Sequence, residues 1–293
     1  MRFRLSVWHK VLPYFLFCGL TFAQQESNFD LAKKHLETLS PNLVLVAAHR
    51  GPHKQLPENS LASIEKAIES GIDIVEIDVR VSKDGVPVIM HDNNIKRTTT
   101  GEGVVEKMTL EELKKVFLLD AEKQVTQERI PTLKEVLDLA RNRVFLDLDM
   151  KVNRRGQQRT IEVVKQNKGE NFTFFYDGEY PLIKRLNRKY PEGRIMTKFY
   201  KTPDYKTLYA KLTPDFIHLA NDDENRAPEF IAALKTSFKT PLWANALGEL
   251  DREYEQTKNP SVYDRLIDKK IQIIQTDHPV VLLKYLREKG KHH

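Results

Sequence analysis

His49-Arg50-Gly51, Glu76-Ile77-Asp78 and His91-Asp92 bring two imidazoles, a guanidinium and several carboxylates close together in the first third of the chain. Imidazole titrates near neutrality, with an unperturbed pKa of about 6.5, so it can either take or give a proton. Glu76 and Asp78 stand two apart in an apolar run, so on a strand both side chains point the same way. Asp147, Asp149 and Lys151 repeat that alternation further on. Carboxylates gathered in a barrel mouth or core are costly unless something neutralises them, and a divalent cation is the usual solution. Glu76, Asp78 and Asp149 would make an oxygen-rich site for Mg2+ or Ca2+. Arg50 and Lys151 add positive charge beside it, a mixture suited to the anionic oxygens of a phosphoryl group. The chemistry this inventory describes is metal-assisted hydrolysis. Taken singly, each group has a plainer reading, as a loop cap or a surface ion pair. Their recurrence at successive strand ends favours a shared site.

The elements that must position these groups alternate along the chain. Residues 43–48 (LVLVAA) form an apolar run ending in His49. Residues 59–70 follow with helical spacing through Leu61, Ile64, Ala67 and Ile68, and Gly71 is placed to end that helix. Residues 74–79 read as strand again, and further apolar runs lie at 144–148, 172–176, 195–199, 216–219, 241–244 and 271–274. Amphipathic stretches such as 132–140, 180–189 and 226–234 lie between most of them. Near-continuously apolar strands separated by helices imply parallel pairing with right-handed crossovers. Eight such units over this length predict an α/β fold, a closed (β/α)8 TIM barrel, with catalytic groups at the C-terminal ends of its strands. No GxGxxG or P-loop supports an open doubly wound sheet instead. Residues 92–129 are a short excursion between strands two and three, holding a Thr98-Thr99-Thr100-Gly101 turn and one helix predicted over 109–117.

The chain has 293 residues, 40% hydrophobic and 30% charged, enough to bury a substantial core. Residues 1–23 combine Arg2, Arg4 and Lys10, an apolar stretch from Val11 to Leu20, and small residues before Gln24. This is the pattern of a secretory signal peptide cleaved after Ala23. Bulky Phe17 before Cys18 argues against a lipoprotein. The expected organisation is a signal peptide over 1–23, a lead-in over 24–40 and a single barrel domain over 41–293. The expected location is the periplasm or the medium, with no stable membrane anchor after cleavage. Losing the three basic residues lowers the net charge from +6 to +3 and gives no support for a nucleic-acid partner. Cleavage also removes the single cysteine, leaving no thiolate for zinc or for nucleophilic attack. The sequence carries no signal of oligomeric state.

The chain resembles the glycerophosphodiester phosphodiesterase family, a barrel group within the phospholipase C-like phosphodiesterase superfamily. The resemblance is carried by His49-Arg50-Gly51, Pro57-Glu58-Asn59-Ser60, Glu76 to Val79, and the Ser82 to Asp92 segment, which matches S-x-D-G-x-P-V-x-x-H-D. Asp149-Met150-Lys151 stands where the family has E-x-K, and Thr276-Asp277-His278-Pro279 where it has T-D-x-P. Asp149 is one methylene shorter than the family's usual glutamate, with Asp147 a candidate to share its task. The family's W-T-V-N becomes Trp243-Ala244-Asn245.

The resemblance implies metal-dependent hydrolysis of glycerophosphodiesters, small-molecule substrates, to glycerol 3-phosphate and an alcohol. It also implies His49 as base and His91 as acid, with water or a substrate hydroxyl as nucleophile. By family position Glu58 and Asn59 orient metal or substrate. Trp243 either stacks over the substrate or fills the barrel top, and His218 is either a core histidine or a specificity contact. His53 and His278 read as loop residues without a role, and His292 and His293 as a frayed tail. The competing readings are a superfamily relative of phospholipase C or D type acting on another phosphodiester, a barrel that only binds, and a sugar hydrolase. The last would leave both histidines and Arg50 without work.

Overall fold

Parallel strands with both faces covered by helices can be apolar along their whole length, and the apolar runs fold in that way. The structure, a computed structural model, describes residues 26–293 apart from positions 41, 201, 203–205, 208–210 and 223. The predicted signal peptide lies outside the described residues. The strands are β1 (Leu45–His49), β2 (Ile74–Val81), β3 (Pro87–Ile89), β4 (Phe145–Met150), β5 (Thr173–Tyr176), β6 (Arg194–Phe199), β7 (Phe216–Leu219), β8 (Leu242–Asn245) and β9 (Ile273–Thr276). All but β3 pair in parallel, and β1 joins both β2 and β9, closing an eight-stranded barrel. β3 pairs antiparallel with β2 and carries the chain back across its end, so that His91 returns to the rim.

The helices begin and end where local chemistry dictates. α1 spans Asn28–Thr38 and α2 Leu61–Ser70, the latter started by Ser60, whose hydroxyl accepts from Ser63 N, and ended by Gly71 at φ 76°. α1 crosses the N-terminal end of the barrel, where Phe29 stacks on Phe145 at 4.7 Å. Within the expected lead-in, α1 thus packs at the barrel floor.

The excursion packs Ile95, Val105, Leu113 and Leu118 against the flanking Val88, Met90 and Ile130 in a small core of its own. Its helix, α3, covers only Leu110–Leu113, shorter than the 109–117 expected. Thr109 and Glu112 cap its start. At the other end Phe117 leaves helical geometry to exchange hydrogen bonds with Thr100, its N–H donating to Thr100 Oγ1 at 3.0 Å and its carbonyl accepting from Thr100 N at 2.9 Å. Pairing with the Thr98–Thr100 turn outcompetes a second helical turn.

Candidate active site

The site starts at the end of β1. Arg50 and Gly51 adopt left-handed φ of 54° and 77°, turning the chain sharply after His49. A Cβ at residue 51 would lie 2.5 Å from Ser63 Oγ, so only glycine fits there. The turn aims Arg50 N at Glu76 Oε2, 3.1 Å away. Asn59, also left-handed at φ 57°, closes the same loop. Its buried amide donates to Asp78 Oδ2 at 2.9 Å and accepts from Asp78 N at 3.2 Å, holding the carboxylate in one orientation.

β2 and β4 set the carboxylates side by side, with Glu76 opposite Asp147 and Asp78 opposite Asp149. Candidate ligand oxygens of Glu76, Asp78 and Asp149 all lie within 4.8 Å of one another. Lys151 Nζ is 2.7 Å from Asp149 Oδ2 and 3.6 Å from Asp78 Oδ1, and Arg50 Nε is 3.3 Å from Asp78 Oδ2. Burial pushes Glu76 well above the usual carboxylate range, and the charges of Asp78, Asp149 and Asp147 push it further. Burial also raises Asp149, with Lys151 opposing. Two basic groups against four carboxylates leave a deficit that one divalent cation would fill, so the donor set fits a hard cation. Asp147 stands outside the trio, buried, with Oδ1 lacking a hydrogen-bond partner.

Each of the two histidines is anchored through Nδ1 by an aspartate. His49 Nδ1 donates to Asp277 Oδ1 at 2.7 Å, and its Nε2 lies 3.9 Å from Glu76 Oε2. His91 Nδ1 donates to Asp92 Oδ1, also at 2.7 Å. A hydrogen on Nδ1 leaves Nε2 free for proton transfer in both rings. Burial pushes Asp277 up, but the hydrogen bond from His49 and the nearby charges of His49, His53 and Lys54 win and hold it at about 2. Its backbone N–H donates to Asp251 Oδ2 at 2.8 Å, and Asp251 also accepts from Thr276 Oγ1 and Tyr263.

Arg97 connects the rest. Its Nε donates to Asp92 at 2.6 Å and its two terminal nitrogens donate to Glu58 at 2.8 and 2.7 Å. Glu58 accepts from Arg50 Nη1 at 3.1 Å. Burial works against ionisation of Glu58, yet Arg97 and Arg50 hold it down at about 2. Beside this network opens a cavity of about 690 Å³, lined by Arg80, His91, Asp92, Lys96, Arg97 and Lys151 among others.

The structure brings His49, Arg50, Glu58, Asn59, Glu76, Asp78, His91, Asp149 and Lys151 to this one rim. Trp243 is different. It is fully buried, donating from Nε1 to Asn245 Oδ1 at 2.9 Å and meeting Phe174 edge-on, so it fills the barrel rather than stacking over the mouth. His218 is likewise buried, between Tyr176 and Trp243, and burial holds its imidazole down at about 3. It is a neutral core histidine. His53 was given no role, but its Nε2 lies 3.6 Å from the Asp277 carboxylate. The frayed-tail reading of His292 and His293 is wrong, because both pack against the buried Asp73. Asp277, Asp92 and Arg97 were missed as site residues. The T-D-x-P and H-D motifs hold the first two, while nothing local marked Arg97.

A closed (β/α)8 barrel with a carboxylate trio and two aspartate-anchored histidines at its C-terminal rim defines a phosphodiesterase hydrolase of the phospholipase C-like class. Residues 49–237 match the glycerophosphoryl diester phosphodiesterase family, and the chain belongs to that family. A glycerophosphodiester phosphodiesterase of Caldanaerobacter subterraneus is 31% identical over 256 residues, covering 84% of this chain and 99% of its own. The crystal structure of a glycerophosphoryl diester phosphodiesterase from Parabacteroides distasonis superposes with a TM-score of 0.75 at 25% identity, covering 90% of this chain and 93% of that one. A phosphodiesterase of Oleispira antarctica, solved in complex with the product sn-glycerol-3-phosphate, gives 0.71 at 25% identity over 86% of this chain and 99% of its own.

Proposed function

We propose that the protein hydrolyses glycerophosphodiesters to glycerol 3-phosphate and an alcohol, with Glu76, Asp78 and Asp149 holding one Mg2+ or Ca2+. The observation that carries this reading is the pair of aspartate-anchored histidines beside a trio of carboxylates, in a chain of this family. The product bound by the Oleispira relative supports glycerol 3-phosphate as the product here. A bound cation would supply Lewis-acid polarisation of a non-bridging phosphate oxygen.

The chain's own groups do the rest. Arg50 and Lys151 offset the charge that builds on the phosphoryl oxygens. His49, whose Nε2 faces Glu76, takes the proton from the nucleophile, while Asp277 steadies the imidazolium that forms. His91 lines the open cavity, where a departing alcohol has room, and gives the proton to its oxygen. Asp92 holds His91 in the orientation this needs.

The predicted signal peptide over residues 1–23 would place the enzyme outside the cytoplasmic membrane, in the periplasm or the medium. Among the described residues no helix is long and apolar enough to cross a membrane. N-terminal sequencing of the mature protein tests this part, with Gln24 as the expected first residue.

The reaction is tested by offering the purified protein a panel of glycerophosphodiesters, with EDTA and with Mg2+ or Ca2+ restored. Release of glycerol 3-phosphate that stops in EDTA and returns with one cation is the expected result. Inactivity on the whole panel with the cation demonstrably bound would overturn the substrate assignment.

A further inference from the structure

Arg80 stands two residues beyond Asp78 on β2, so its side chain leaves the strand on the same face as Glu76 and Asp78, one step nearer the mouth. β3 holds this end of the strand in register, with Val88 opposite Arg80. The guanidinium bridges two residues of the site. Its Nε donates to the His91 carbonyl at 2.9 Å and its Nη1 to the Lys151 carbonyl at 3.5 Å. Its remaining N–H groups, those on Nη2 among them, find no acceptor among the described residues.

The other cations lining the cavity beside His91 each have an acid partner: Lys96 has Glu102, Arg97 has Glu58 and Asp92, and Lys151 has Asp149. Among the described residues Arg80 alone of this lining has none, although it is half-buried. Asp78, Glu106, Asp92 and Asp149 act on it only from beyond ion-pair distance. A cation kept half-buried without a counter-charge is costly to the fold, and a ligand anion removes that cost. The cavity it faces, of about 690 Å³, is the one that receives the departing alcohol in the proposed reaction. Arg80, Lys96, Arg97 and Lys151 line it against one carboxylate, Asp92, which already accepts from His91 and Arg97. An ammonium group there is repelled. A carboxylate or phosphate monoester meets a planar fork of unused donors, the geometry in which guanidinium binds such groups through paired hydrogen bonds.

We infer that Arg80 selects the leaving group, and that the preferred substrates are glycerophosphodiesters whose alcohol carries an anionic group, a carboxylate or a phosphate monoester. The inference rests on the proposed hydrolysis, with His91 as the acid. The anion lies against Arg80 while the ester oxygen of the same alcohol takes its proton from His91, whose carbonyl Arg80 holds. Lys96 at the outer edge adds positive charge for longer alcohols. Diesters of choline and ethanolamine, whose alcohols carry a cation, are poor substrates.

Two pairs of substrates test this with the full chain and its activating cation. Glycerophosphoserine differs from glycerophosphoethanolamine by one carboxylate, and glycerophosphoinositol 4-phosphate differs from glycerophosphoinositol by one phosphate monoester. The anionic member of at least one pair should have a kcat/KM about tenfold higher, mostly through KM, and the pair that shows it tells carboxylate from phosphate. Arg80→Gln should bring that ratio down to about one, on top of any uniform loss from freeing the His91 carbonyl. A residue that only held His91 would lower both members alike and leave the ratio where it was. Arg80→Lys, which keeps the charge but not the fork, should lower the ratio about threefold, and it serves where Arg80→Gln does not fold. Hydrolysis of the anionic members no faster than their partners would overturn the inference and leave the reaction standing. A ratio unchanged in the folded variants would overturn it equally. Inactivity on all four diesters would overturn the reaction itself and this inference with it.

Discussion

Asp277 never meets the phosphorus, yet its replacement by asparagine should be among the most damaging single changes to turnover. Its carboxylate accepts the 2.7 Å hydrogen bond from His49 Nδ1, between side chains that are 26% and 19% exposed. A charge-assisted hydrogen bond of this kind contributes about 2–3 kcal/mol, and more of that is felt when His49 becomes imidazolium in the transition state. Losing about 3 kcal/mol there corresponds to roughly 150-fold in rate. An asparagine amide can also present its N–H to Nδ1. That traps the tautomer whose Nε2 carries the hydrogen and cannot act as a base. The two effects together predict a fall in kcat of roughly 100- to 1,000-fold, with KM for a glycerophosphodiester changed little. Steady-state kinetics give the split, and 15N chemical shifts of His49 report the tautomer directly. His53, with Nε2 3.6 Å from the same carboxylate, is the group available to compensate. An Asp277→Asn enzyme within about threefold of the parent rate would refute the anchored-base argument. So would a fall confined to KM.

The other expectations concern the opposite histidine, the cation and two supporting residues. His91→Ala should lose about 100-fold or more on a diester with an alkyl leaving group but recover most of it with p-nitrophenolate, which needs no proton. His49→Ala should recover with neither, and the reverse pattern would exchange the two roles. Glu76 and Asp147 titrate well above the ordinary range, so the metal-free folded chain holds protons that the unfolded chain releases, and its stability falls as pH rises. The Tm gained from Mg2+ should therefore be larger at pH 8 than at pH 5, and an equal gain at both would remove the charge-relief argument. Asn59→Ala should cost about 3 kcal/mol and weaken cation binding tenfold or more, because Asp78 loses its anchor and a left-handed position gains a Cβ. Calorimetry in urea and with Mg2+ reads both. Glu58 has its folded pKa held at about 2 against 4.5, so its contribution is complete above that value and is lost as pH falls towards 2. Acid titration should show roughly 3 kcal/mol less pH-dependent stability in Glu58→Gln.

How much of this was legible in the sequence depended on whether the signal was local. Eight apolar runs of strand length gave eight barrel strands, each within a few residues, because burial on both faces leaves a continuous apolar stretch. His49, Glu76, Asp78 and Asp149 were readable because a strand end fixes where a side chain points. The partners that tune them were less so. Asp277 is 228 residues from His49, and only barrel closure between β1 and β9 brings them together. Trp243 offered two roles because a strand residue near the rim can face the mouth or the wall, and neighbours from other strands decide which. His292 and His293 were misread because no periodicity describes a tail. Their partner Asp73 is buried at the barrel floor, where α1 packs, and no local pattern in the sequence joins it to the tail.

The excursion between β2 and β4 then takes on a mechanical meaning. His49 and Asp277 are carried by the ends of adjacent barrel strands, as stiff a support as the fold offers. His91 follows β3, a short antiparallel strand paired to β2 over three residues, and has no such backing. Arg80 Nε on β2 holds the His91 carbonyl at 2.9 Å, and the ring depends in addition on what the following residues hold. Arg97, on the first turn of the excursion, grips Asp92 with one nitrogen and Glu58 with two, and Glu58 returns to Arg50 and so to Asp78. A continuous chain of charged contacts thus spans from the second histidine to the carboxylate trio, crossing from the excursion to the loop after β1. Such networks contribute modestly to stability where they are exposed. Here the consequence is positional. The small core under residues 92–129 fixes Arg97, and Arg97 fixes the distance over which a proton leaving His91 must travel.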